Sequence, residues 1–341
     1  MKKQERPHRV AARMRPDQPL KSGFNKTTQK NRNSIGETGQ SFSTSDAIGE
    51  FKTAMLKLGL LPPASLIADG KIHRCGTASR ERGKDGAYCL YLNSSVPAGW
   101  FQNHRTGAWQ TWSLKTNRLR TLAEQTALYE RITQDRLHYE TEISRQYDRT
   151  AIRAERLLNA MKPADDTHEY LSRKGVKAYG VREWLGRLVI PVYNSFGRFQ
   201  SLQFISPDGS KRFLSGGKLT GGRFLIGREP SQEGVILIGE GYATMATIHA
   251  ETSHPCFVAF SASNLEHVAL SIRAFYPKAK IVITADNDWQ TAQKIDRNPG
   301  IEAARRAAAS CRGNIVFPPE LPDVSDFNDY AQHLKMVHAH E

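Results

Sequence analysis

ILIGEGYATMATIHA, residues 236–250, and IVITADNDWQ, residues 281–290, share one pattern: an apolar run of strand length that stops at acidic residues with no basic neighbour to pair them. Four such runs recur, VILI (235–238), FVAF (257–260), IVIT (281–284) and NIVF (314–317), separated by helix-like segments beginning near Ala243, Leu265 and Gly300. Strands apolar at every position are buried on both faces, and strand alternating with helix implies a parallel sheet with helical crossovers. Ligands of such sheets lie beyond the carboxyl ends of the strands, where Glu240, Asp286 and Asp288 fall. Carboxylates gathered there repel one another unless a cation neutralises them, and all-oxygen donors suit a hard divalent ion, Mg²⁺ or Mn²⁺.

The rest of the chain sets the context for that site. It has 341 residues, is 39% hydrophobic and carries a formal net charge of +14. That balance favours a polyanionic partner, nucleic acid before an anionic membrane surface. No signal-peptide pattern follows the charged start and no 18 apolar residues run together, so the expected location is cytoplasmic with no membrane association. Four cysteines without paired spacing fit reduced thiols.

Five segments are expected. Residues 1–45 hold ten Lys or Arg against three Asp or Glu and almost no apolar pairs, the composition of a disordered basic arm. Residues 46–116 read as a small α+β accessory module, a helix and then short antiparallel strands, with DNA binding as one possible role. His73, Cys75, Cys89 and His104 lack the close ligand pairs of a structural zinc site, so zinc is not expected. Residues 117–162, Gly-free and densely charged, predict a long polar helix acting as a spacer. Residues 163–232 predict strands and tight turns, with Lys211, Arg212, Lys218 and Arg223 bracketing a glycine-rich loop that is not a Walker A sequence. Residues 233–341 hold the parallel sheet.

GEGYAT, ADND, NPGIEAARRAAA and SDFND, in that order and spacing, resemble the Toprim domain shared by DnaG-type primases, type IA and II topoisomerases and some nucleases, and are most similar to the Toprim primases of plasmids and satellite phages. The resemblance implies that Glu240, Asp286 and Asp288 are the metal-binding and catalytic acids, with Asp326 and Asp329 as a further acidic cluster near the same metal. Upstream, HEYLSRKGV (168–176) and GRLVIPVYNSFGRFQSLQFISPDGSKRFLSGG (186–217) resemble the amino-terminal half of the bacterial primase core, whose basic ridge guides template and nucleotide. Arg212 and Lys218 fall at basic positions of that pattern, while Gln203 stands where arginine is usual.

The fold so implied is α/β: a Toprim domain preceded by a smaller α+β primase subdomain, a long helix and a small amino-terminal α+β module. The function implied is that of a DNA primase, a nucleotidyltransferase making short RNA primers on single-stranded DNA from ribonucleoside triphosphates, for replication of a plasmid, phage or prophage, with a helicase or polymerase acting in trans. In that chemistry Asp286 and Asp288 hold the ions, Glu240 is a ligand or the base toward the attacking hydroxyl, and Lys211, Arg212, Lys218 and Arg223 contact template or nucleotide. A Toprim nuclease, or a catalytically silent single-stranded-DNA-binding protein, are the alternatives.

Overall fold

Three five-stranded sheets organise the chain in the computed structural model, which describes residues 43–78, 80–92, 96–115, 121–287, 289 and 298–338. The basic arm expected over 1–45 lies, apart from its last three residues, outside the described residues. No helix among those described is long and apolar enough to cross a membrane.

The first sheet follows helix α1 (Thr44–Lys57) and runs in sequence order, β1 (Leu60–Leu61), β2 (His73–Thr77), β3 (Gly86–Tyr91), β4 (Ala98–Asn103) and β5 (Trp109–Ser113), antiparallel throughout. Side chains alternate across a strand. Tyr88, Leu90 and Phe101 therefore meet Phe51 and Met55 of α1, while Ala87, Cys89 and Trp100 meet Ile132 on the opposite face. Both faces are covered, which is why β3 is buried at every position. Cys75 packs on the α1 side and Cys89 on the other, so these two thiols look in opposite directions.

Ile132 belongs to helix α2 (Leu122–Asn159), 38 residues and roughly 57 Å long at 1.5 Å per residue. The helix does more than separate its neighbours. Its amino-terminal half lays Ile132 on the first sheet, and its far end packs Ala154 and Leu158 against Val189 and Leu202 of the second. Two short contacts far apart do not make a continuous apolar stripe, so the sequence shows only a charged surface.

The second sheet is antiparallel, in the order β10-β9-β8-β7-β6, built from β6 (Lys162–Pro163), β7 (Arg182–Trp184), β8 (Arg187–Tyr193), β9 (Phe199–Ile205) and β10 (Lys211–Phe213), with the short helix α3 (Glu169–Lys174) between β6 and β7. Val189 and Leu202 face α2. Leu188, Ile190 and Ile205 face the other way, into a core shared with the third sheet.

That third sheet has the order β11-β13-β12-β14-β15, from β11 (Phe224–Ile226), β12 (Val235–Gly239), β13 (Cys256–Val258), β14 (Lys280–Thr284) and β15 (Asn314–Val316). The last four are mutually parallel. Antiparallel β11 joins the edge of β13, so the sheet begins before residue 233. Helix α4 (Tyr242–Thr252) covers one face in the core shared with the second sheet, and α5 (Ala262–Phe275) and α6 (Pro299–Cys311) cover the other. Helix α7 (Phe327–His338) closes the described chain against α4. The α/β class with a parallel sheet is as expected.

Candidate catalytic site

From β12 the chain crosses to β13 on one side and then to β14 on the other, so the strand order reverses at β12. Loops leaving neighbouring strands diverge there and open a crevice beyond the carboxyl ends. Ile238 is in register with Ile283, so Glu240 and Asp286 leave adjacent strands at the same end of the sheet, two and three residues further on. Gly239 is required by the closeness of three elements: a Cβ on it would lie 2.2 Å from Thr284 Oγ1 and 2.4 Å from Met245 Sδ. Thr284 Oγ1 donates to the Ile238 carbonyl at 3.2 Å, tying the two strand ends together. Glu240 is fixed through its main chain, whose carbonyl accepts the Phe260 N–H at 2.9 Å. Oδ1 of Asp286 is withdrawn from solvent.

Asp288 lies outside the described residues. Between it and Asp286 stands Asn287, 1% exposed, which sequence reasoning passed over. Its main-chain N–H donates to the Ser325 carbonyl (2.7 Å), its Nδ2 to the Pro318 carbonyl (3.2 Å), and its Oδ1 accepts from Asn298 Nδ2 (2.9 Å). Asn298 also caps α6, accepting the Ile301 N–H at 3.2 Å. The loop carrying the second acidic motif is thus held by a buried amide, whose only sequence signal is an asparagine flanked by two aspartates.

The SDFND residues sit against the same loops, with their oxygens already engaged. Asp326 Oδ1 accepts the N–H groups of Asn328 (2.7 Å) and Asp329 (2.9 Å), which caps α7, and its Oδ2 accepts Thr244 Oγ1 of α4 at 3.0 Å. Asp329 pairs with Lys174 Nζ at 3.1 Å and takes the Ser325 hydroxyl at 2.9 Å. Burial pushes the Asp329 carboxyl up, but the Lys174 and Ser325 hydrogen bonds outweigh it and hold it below its ordinary value. Asn328, 1% exposed, ties the Lys174 carbonyl to Thr247.

The four basic residues do not act as one ridge. Lys211 is in register with Ile205 and shares its face, toward the third sheet; a Cβ on Gly241 would lie 3.6 Å from Lys211 Nζ, so this ammonium stands beside the residue following Glu240. Arg212 is paired with Phe204 and faces the α2 side. Arg223 is built into the fold: Nη1 donates to Ser271 Oγ (2.8 Å), Nη2 to the Ser195 carbonyl (3.1 Å), and the guanidinium lies over Phe257 and Phe275. Lys218 is exposed on the glycine-rich loop. That loop is pinned by buried Asn264 of α5, whose Oδ1 accepts the Gly221 N–H (2.7 Å) and whose Nδ2 donates to the carbonyls of Gly222 and Ala259 (both 2.8 Å). Ala259 follows β13, so Asn264 holds the loop at the carboxyl end of the sheet.

Among the described residues no three His, Cys, Asp or Glu side chains gather closely enough to hold a metal ion. With Asp288 outside them, the donor chemistry of Glu240 and Asp286, hard carboxylate oxygen leaving adjacent strands, fits a divalent cation.

Residues 235–334 match the family model of the Toprim domain, a family whose members imply divalent metal binding. Two Escherichia coli proteins, both called DNA primase TraC, are 31% identical to this chain, one over 304 residues (84% of the chain) and one over 289 (80%). The chain spans only 28% and 20% of their respective lengths. Among solved structures, the zinc-binding and RNA polymerase domains of the Aquifex aeolicus primase are 14% identical, covering 76% of this chain and 78% of that one with a TM-score of 0.36, an overlap too loose to carry an inference. The reversal of strand order at β12, the acids that leave the sheet there and the family match agree: residues 235–334 are a Toprim domain, in a chain related over most of its length to DNA primase TraC.

Proposed function

We propose that this chain is a DNA primase that joins ribonucleotides into short RNA primers on single-stranded DNA, in the service of a mobile element's replication. The observation that carries the reading is the placement of Glu240 and Asp286 on adjacent strands at the switch point, within a chain 31% identical to DNA primase TraC over 304 residues. Glu240, Asp286 and Asp288 are the residues to hold Mg²⁺ or Mn²⁺, which when bound neutralises phosphate charge and activates the primer hydroxyl. Asp326 and Asp329 contribute by fixing α7 against α4 and α3, bringing negative charge to the rim of the same crevice.

Lys211 presents its ammonium beside Gly241, where α4 begins with free N–H groups and the positive end of its dipole. Both suit a phosphate of the incoming nucleotide. Lys218 serves the template or the triphosphate from a loop that Asn264 holds in place. Arg223 supports the same region from beneath, and Arg212 lies on the sheet's other face. A helicase or polymerase acts in trans, at a location in the cytoplasm.

Incubation of the protein with single-stranded DNA, labelled ribonucleotides and Mg²⁺ or Mn²⁺ tests the reading. Oligoribonucleotides are expected. Nicked DNA would indicate a Toprim nuclease instead, and binding without products a silent DNA-binding protein.

A further inference from the structure

The β8–β9 hairpin carries an aromatic residue where water would be expected to exclude one. Phe196 is 77% exposed at the tip of the turn Asn194–Arg198, in edge contact with Phe275 of α5, itself 41% exposed, with ring centroids 5.9 Å apart. The turn is rigidly built. Asn194 Oδ1 accepts the N–H groups of Phe196 (2.9 Å) and Arg198 (3.0 Å), and the Asn194 N–H donates to the Arg198 carbonyl at 2.8 Å. From below, Arg223 bonds the Ser195 carbonyl and stacks on Phe275, joining the turn to α5. Ordering so exposed a ring gains little within the fold itself, since most of its surface stays in water.

We propose that Phe196 and Phe275 form a stacking platform for a base of single-stranded nucleic acid, with Arg198 contacting the adjoining phosphate. Two rings in fixed edge contact offer an apolar surface of about the size of one base, and stacking tolerates any base because each has a π face. Charge selects the occupant. The turn Asn194–Ser195–Phe196–Gly197–Arg198 contains an exposed arginine and no acid, Arg223 lies beneath it, and the chain carries +14 overall. An apolar protein partner would have no need of a wholly cationic border, whereas a polyanion with flat bases matches both features. The platform also adjoins the glycine-rich loop, because Arg223 directly follows Gly222, which Asn264 clamps. The inference rests on the primase reading and adds to it a contact outside the catalytic crevice.

The test compares binding of a labelled oligothymidylate with that of an oligonucleotide of equal length made of abasic residues, by anisotropy at fixed salt. The wild type should prefer the first. Phe196→Ala should weaken oligothymidylate binding by roughly fivefold or more, the loss that removing one base–aromatic stack brings, and leave abasic binding unchanged. Phe196→Leu should behave as the alanine variant if the ring, not apolarity, is what matters, and Arg198→Ala should weaken both oligonucleotides equally. Because Phe196 is mostly in solvent, these variants should fold as the wild type does. If Phe196→Ala keeps the full preference, the platform is wrong even if primers are still made. Altered self-association with unchanged DNA binding would reassign the patch to protein contact and overturn the proposal. A wild type that makes no primers yet shows the Phe196-dependent preference would sink the primase reading and leave the platform standing.

Discussion

The two ends of the parallel sheet differ in a way that volume alone would misjudge. At the amino end, near Val235 and Pro255, lies a cavity of about 540 Å³ bordered by Arg228, Glu229, Ser231, His249 and His254. At the carboxyl end Glu240 and Asp286 emerge together, with Lys211 and the clamped glycine-rich loop around them. A large concave pocket is the usual first guess for a binding site. Here the polar groups of the amino end are spent on the fold: His249 Nδ1 is bonded to the His254 carbonyl at 2.7 Å, and Glu229 to the Tyr276 hydroxyl. The carboxyl end gathers like charge on adjacent strands, an arrangement that costs stability unless something is bound there. Chemistry follows the convergence of unlike charges rather than the amount of empty space.

The sharpest break between the two ends should come from Asp286→Asn. It should lower primer synthesis at least a hundredfold, an effect that added substrate does not restore, because the lost stabilisation belongs to the transition state. Retained DNA affinity with lost synthesis would support the assignment, and retained synthesis would end it. Asn287→Ala should come next. It removes two side-chain hydrogen bonds and leaves the Pro318 carbonyl and the Asn298 amide without these partners, costing about 1–3 kcal/mol of stability for each buried group left unsatisfied. Denaturant unfolding would register the loss, and an unchanged midpoint would refute the role given to Asn287.

Lys211→Ala should raise the apparent KM for nucleotide about tenfold or more, the loss expected for a charge-assisted contact, with part of the rate recovered at saturation. Arg212→Ala, on the opposite face, should change it far less. Equal effects of the two substitutions would contradict the register argument. Asp329 offers a smaller, pH-dependent effect. Its folded-state carboxyl lies below the ordinary 3.8, so its contribution is present above that value and is lost as pH falls through the folded-state value. Asp329→Asn should therefore be less stable than wild type at pH 6 in urea, and the difference should close below about pH 3.8. At the amino end, His254→Ala should leave synthesis unchanged and shift stability by no more than about 0.5 kcal/mol; a marked loss of activity would mean that the cavity is functional after all.

Much of the third sheet was legible because a strand buried on both faces must be apolar at each position, and four such runs stood between helical segments. The acids were legible for the same reason: each interrupts an apolar run where a charge has no structural use. Asn287 and Asn264 were not, since an asparagine in a loop looks alike whether solvated or holding three main-chain partners. Arg223 misled in the other direction. Beside a glycine-rich loop it read as a ligand contact, but its guanidinium is enclosed between Phe257 and Phe275, which are distant in sequence.

The sequence by itself determined the alternation of strand and helix, the positions of Glu240, Asp286 and Asp288 after their strands, and the excess of positive charge. These are properties of local pattern and composition, set by periodicity and by the cost of burying polar groups. Only the tertiary structure decided which side chains share a site. The pairing of β9 with β10 turned Lys211 toward the acids and Arg212 away, because adjacent residues of a strand face opposite sides of a sheet. Folding brought Asn264 to the glycine-rich loop and Ser325 to Asn287, across separations at which no local pattern carries information.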